Sequence, residues 1–96
     1  MSNEHGERAL ALIDKLLAER PEKVGHDFSE TTRCLSAYRD TLIGQFRETG
    51  AEHDRMRLEG VNAVLSVVLG GHFPLGDIPW GHIEEARKRL ERVVRD

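Results

Sequence analysis

A single cysteine, Cys34, stands in 96 residues. No intrachain disulfide is therefore available to staple a small fold, and a reducing, cytoplasmic setting is the simplest expectation. Aromatic residues are scarce at 5%: Phe28, Tyr38, Phe46, Phe73 and Trp80. The core must come mainly from Leu, Val, Ile and Ala. No apolar run approaches the roughly 18 residues that cross a bilayer, which argues against a membrane span. The polar, acidic start from Met1 to Gly6 does not read as a signal peptide. A strong charge excess is missing too, because 14 Lys+Arg face 17 Asp+Glu for a net charge of −3. That balance supplies no general attraction to phosphates, so nucleic acid is not the expected partner.

What is present is 39% apolar and 32% charged residues, an ordinary mixture for a helical globular chain and too apolar for disorder. The length fits one domain over residues 1–96. A short chain with few aromatic residues builds a marginal core, and pairing with a second copy is a common way to extend it. A homodimer is expected on that ground.

Apolar periodicity predicts four helices, over about 4–20, 27–48, 50–69 and 78–95, and hence an all-α bundle. In the first, Leu10, Ile13 and Leu17 form the stripe, widened by Ala9, Leu12 and Leu16. Asn3 is placed to cap its start and Pro21 stops it. The second carries Phe28, Leu35, Tyr38, Leu42 and Phe46, and Asp27 to Glu30 has the spacing of a capping box. Thr49 to Glu52 repeats that spacing and favours a break at Gly50. A single helix running through Gly50 is the rival, since glycine costs only about 1 kcal/mol inside a helix. The third helix has two stripes, one of Leu58, Val61, Leu65 and Val68, the other of Val64, Val67 and Leu69. Two stripes imply contact on two sides. Trp80, Ile83, Ala86, Leu90 and Val93 or Val94 make the stripe of the fourth, with proline tolerated near its start.

The residue types needed for common chemistries do not fall at the required spacings. A di-iron bundle needs Glu-x-x-His pairs, and no glutamate here has a histidine three residues on. No two of His5, His26, His53, His72 and His82 lie one turn apart on a helix, so no preformed metal clip is expected. Neither a phosphate-binding glycine loop nor a nucleophile elbow is present. No catalytic residue, cofactor or metal is assigned. On the last helix Glu84–Lys88, Glu85–Arg89 and Glu91–Arg95 have the order of favourable one-turn ion pairs, the mark of a solvated face.

The least ordinary stretch is 70–82, a glycine- and proline-containing connection that carries Phe73, Leu75, Ile78 and Trp80. It either folds back to cap the bundle or serves as an apolar contact for a partner. The leading reading is a non-enzymatic protein-interaction or homodimerisation module. Its candidate contact residues are Val61, Val64, Leu65, Val67 and Val68 on the third helix, with Phe73, Leu75 and Trp80. A second reading places a small molecule or metal near His72, Trp80 and His82, with Cys34 or Tyr38 lining the pocket. A nucleic-acid-binding regulator is the third.

Overall fold

A computed structural model describes residues 3–69 and 77–95. Four helices follow one another: α1 (Glu4–Glu19), α2 (His26–Thr49), α3 (Glu52–Leu69) and α4 (Trp80–Arg95). The sequence pattern and the structure agree on an all-α, four-helix fold. Each helix packs on its neighbours in sequence, and α4 returns to α1 to close the ring. Contacts run in opposite directions along each adjoining pair. His5 and Arg8 meet Cys34 and Glu30 across α1 and α2, while Asn3 reaches Val94 and Arg20 reaches Glu84 across α1 and α4. The bundle is thus up-down-up-down.

The core is aliphatic, as the scarcity of aromatics requires. Ile13, Leu16, Leu35, Leu42, Ile83 and Leu90 are fully buried, and Tyr38 is the largest side chain among them. Helix α3 packs on both α2 and α4: Val61, Leu65 and Val68 of one stripe and Val64 of the other are buried, while Val67 is half-buried and Leu69 is exposed.

The break after α2 is real. Gly50 has φ 61° and its N–H bonds Phe46 O at 2.7 Å, a left-handed helix closure that glycine adopts without strain. Arg20 closes α1 in the same conformation, at φ 43°, with its N–H on Leu16 O and Pro21 immediately behind it.

The expected caps are corrected by the structure. Asn3 makes no side-chain cap to α1, because its amide is spent on other helices. Helix α2 begins one residue before Asp27, with Gly25 at the cap position and no side-chain cap. Asp27 instead pairs with Lys15 at 3.7 Å, and Glu30 turns to Arg8 and His26. Thr49 ends α2, where its hydroxyl accepts the Ala51 N–H and donates to Asp54. The partner expected for Thr49, Glu52, holds Arg55. Helix α4 starts at Trp80, just after Pro79, rather than at residue 78.

Candidate functional site

Four of the sequence-selected contact residues are buried within the single chain. Val61, Val64, Leu65 and Val68 retain 0%, 1%, 4% and 3% of their surface, packed between α2 and α4. In the single chain these four are core residues. A second copy could reach them only by opening the bundle. Val67 is half-buried at the margin of the core and keeps one side in solvent. Trp80 packs on the core rather than standing free. Its ring lies 6.1 Å from that of Phe28, and the Arg20 guanidinium sits 5.8 Å above it, within cation–π range. Phe73, Leu75 and His72 lie outside the described residues.

The pocket of the second reading is not assembled from Cys34 and Tyr38. Trp80 opens α4, whereas Tyr38 stands beside Gly6 and Val94, about 21 Å further along that helix at 1.5 Å per residue. Cys34 donates its thiol hydrogen to His5 O at 3.2 Å. Burial pushes the thiol above its ordinary pKa, partly opposed by Arg8 and reinforced by Glu30. A buried, neutral thiol is a poor nucleophile. A shallow hollow beside it is lined by His5, Arg8, His26, Glu30 and Arg33, but among the described residues no three His, Cys, Asp or Glu side chains are grouped to hold a metal ion.

Where all four helices meet, polar side chains form a clasp. Asn3 donates through Nδ2 to Val94 O at 3.0 Å, and its Oδ1 accepts the Tyr38 hydroxyl at 3.3 Å. The Tyr38 oxygen in turn accepts from Arg57 Nη2 at 3.1 Å. Arg57 Nε donates to Val93 O at 3.3 Å and Nη1 to Gln45 Oε1 at 3.4 Å. Val93 and Val94 belong to the last turn of α4, whose carbonyls have no partner within the helix. The clasp satisfies two of them and sets a guanidinium near the negative end of the helix dipole. Burial raises the Tyr38 pKa, while the adjacent Arg57 charge and hydrogen bond pull it down.

Arg57 also faces outward into a hollow between α3 and α4. Its walls are His53, Met56, Arg57, Gly60, Arg89, Arg92 and Val93, around about 440 Å³. Gly60 forms the floor because the helices approach too closely for a side chain. A Cβ there would lie 2.8 Å from Val93 Cγ2. A second, smaller hollow shares Arg89 and continues along the same two helices, lined by Ala63, Val64, Val67, His82, Glu85 and Ala86. Together they make a groove with an aliphatic floor and a cationic end. No family model, curated protein or solved structure matches this chain. The groove is therefore read from its own chemistry.

Among the described residues, none of the three guanidiniums at the cationic end is ion-paired to a carboxylate. Carboxylates bind Arg8, Lys15, Arg20, Arg39, Arg55, Arg87, Lys88 and Arg95. Lys23, Arg33, Arg47, Arg57, Arg89 and Arg92 have no such partner within 4.0 Å among the described residues, and three of these six line the one hollow. The pairing expected of Glu85 with Arg89 does not form, because Glu85 lies 3.6 Å from Lys88 instead. Glu84 crosses to Arg20; only Glu91–Arg95 is made as expected, at 3.6 Å. Of the sequence-selected residues, the structure brings Val64, Val67 and His82 to this groove. Arg57, Arg89 and Arg92 were not singled out as a group, because they come together only when α3 crosses α4.

Proposed function

We propose that this protein is a non-enzymatic interaction module that receives an acidic, amphipathic helix of a partner protein along the α3–α4 groove. The observation that carries the reading is the joining of an aliphatic floor at Ala63, Val67 and Ala86 to a cationic end at Arg57, Arg89 and Arg92. Helix-in-groove recognition uses this combination, with apolar anchors seated in the trough and charge fixing the direction of the guest. A self-paired dimer on this face is the weaker alternative. A two-fold interface juxtaposes the same patch from both copies, which gathers arginines around the axis. The nearby Glu59 and Glu85 are already engaged by Arg55 and Lys88. No helix among the described residues is long and apolar enough to cross a membrane. A reducing cytoplasm, where Cys34 stays a thiol, is the compartment that fits the reading.

The test places a photo-crosslinking residue at position 63 and, as a control, at exposed Ala18 on α1. Irradiation in a lysate of the source cells should trap one partner segment at position 63 and not at 18, and mass spectrometry should identify that segment as acidic and amphipathic. Equal adducts at both positions would overturn the proposal. So would an adduct made only of this chain, which would establish the dimer in its place.

A further inference from the structure

We infer that the cationic end of the α3–α4 groove is a binding site for a phosphoryl dianion. The inference shares its groove with the docking reading and names the acidic group that the site would take. Three guanidiniums line one hollow with no carboxylate in its wall. One carboxylate offers two oxygens and a single charge, which leaves most of that donor set unused. A phosphate monoester carries about −1.5 to −2 charges at pH 7 and three strong acceptor oxygens, a closer match to several arginines.

Arg57 is the fixed member of the site. Its three hydrogen bonds go to neutral acceptors, Tyr38, Gln45 and Val93 O. A guanidinium has five N–H donors, so two remain available on a group already held in place. Pre-ordering of this kind reduces the freedom lost when a ligand binds. Arg89 and Arg92 are exposed and able to close over the ligand from α4. Gly60 keeps the floor open, and its missing Cβ would stand 3.9 Å from Arg89 Nε. The phosphoryl group could belong to a modified side chain on the docked partner or to a free monoester, and both present the same chemistry to the arginines.

The test follows the arginine Nε–H resonances by NMR during titration with inorganic phosphate, with acetate at matched ionic strength as the control. Phosphate should shift Arg57, Arg89 and Arg92 in a saturable way, leaving Arg33 and Arg47 unmoved. The R89Q/R92Q double variant, altered only at exposed positions, should weaken binding at least tenfold without loss of helical signal. Equal shifts from acetate, shifts spread over Arg33 and Arg47, or unchanged affinity in the double variant would each overturn the inference. Tighter and saturable binding of duplex DNA at the same residues would also overturn it, in favour of nucleic-acid recognition. Glycerol phosphate and a phosphoserine peptide separate the sources. A tenfold preference for the peptide assigns the phosphoryl group to a partner, and parity assigns it to a free monoester. Phosphate binding without a crosslink at position 63 would retire the docking reading and leave this site standing.

Discussion

Two valines three residues apart on α3 provide a sharp test of how the chain divides core from surface. Val64 keeps 1% of its surface exposed, while Val67 is half-buried with a free side. Val64→Glu forfeits about 1.5–3 kcal/mol of apolar burial. It also strands a carboxylate in the interior, which adds several kcal/mol more when no partner is present. A 96-residue domain has a total stability of only about 5–14 kcal/mol at the usual value per residue. The Val64 variant should therefore be largely unfolded at room temperature. In Val67→Glu the longer side chain can lay its methylenes along the groove and keep its carboxylate in water. The expected loss there is about 1 kcal/mol, or some 4–8 °C in Tm for a domain of this size. Circular dichroism melts and urea titrations of both variants are the assay, with the position-63 crosslink as the binding readout for Val67→Glu. A folded Val64→Glu protein melting within a few degrees of the parent would refute the core assignment. An unfolded Val67→Glu would refute the groove.

Two glycines in helices should respond in opposite directions to the same change. A Cβ at Gly44 meets nothing within 4 Å, so Gly44→Ala should stabilise α2 by about 1 kcal/mol through helix propensity. At Gly6 the added carbon would lie 2.7 Å from Val94 Cγ2 and 2.8 Å from Tyr38 Cζ, and overpacking of that kind costs about 1–3 kcal/mol. Denaturant midpoints that move the same way in both variants would contradict the packing of α1 on Tyr38. Alkaline pH offers a separate check. Cys34 and Tyr38 both titrate above their ordinary values, chiefly through burial. The unfolded chain therefore ionises first, so the stability is fully present below about 8.5, the ordinary thiol value, and is lost as pH rises through it and then through about 10. The urea midpoint should fall across that range, and Cys34→Ala should flatten the earlier part of the fall. A midpoint independent of pH in this window would remove the burial argument for both groups.

The helices were legible because burial leaves a periodic trace in a single strand of sequence. Leu10, Ile13 and Leu17 on α1 and Trp80, Ile83 and Leu90 on α4 mark their faces without help from the rest of the chain. The two stripes of α3 were visible for the same reason. What covers them was not, since periodicity shows that a face is buried and says nothing of whether a neighbour in the same chain buries it. Helix ends were less legible than helix faces. Asn3, Asp27 and Thr49 have the residue types that cap helices, yet Asn3 and Asp27 are taken by partners distant in sequence, and Thr49 turns to Ala51 and Asp54 instead of Glu52. Asn3 is the clearest case, because Tyr38 and Val94 lie 35 and 91 residues away. The cationic groove was hidden for a related reason. Arg89 has a glutamate one turn before it and looks neutralised, but Glu85 lies against Lys88 instead, and Arg57 approaches Arg92 only through the crossing at Gly60.

The clasp and the groove are two aspects of one residue. Arg57 gathers the start of α1, the middle of α2 and the end of α4 through neutral acceptors, and among the described residues no carboxylate pairs with its charge within 4.0 Å. The dipole of α4 compensates only part of this, since a cation at a helix C-terminus gains about 0.3–1 kcal/mol in exposed settings. A carboxylate placed in the wall of the Arg57, Arg89 and Arg92 hollow would have stabilised the isolated chain further and closed that end of the groove to anions. Its absence leaves an electrostatic deficit that an anionic ligand can fill. Because such a ligand binds the folded chain and not the unfolded one, occupation stabilises the fold by about 2.7 kcal/mol at a hundredfold excess over Kd. That is a substantial gain for a domain with so small a core. The same bonds that hold the four helices together thus fix the donor that the groove presents, and in the proposed function recognition and stability are coupled through Arg57.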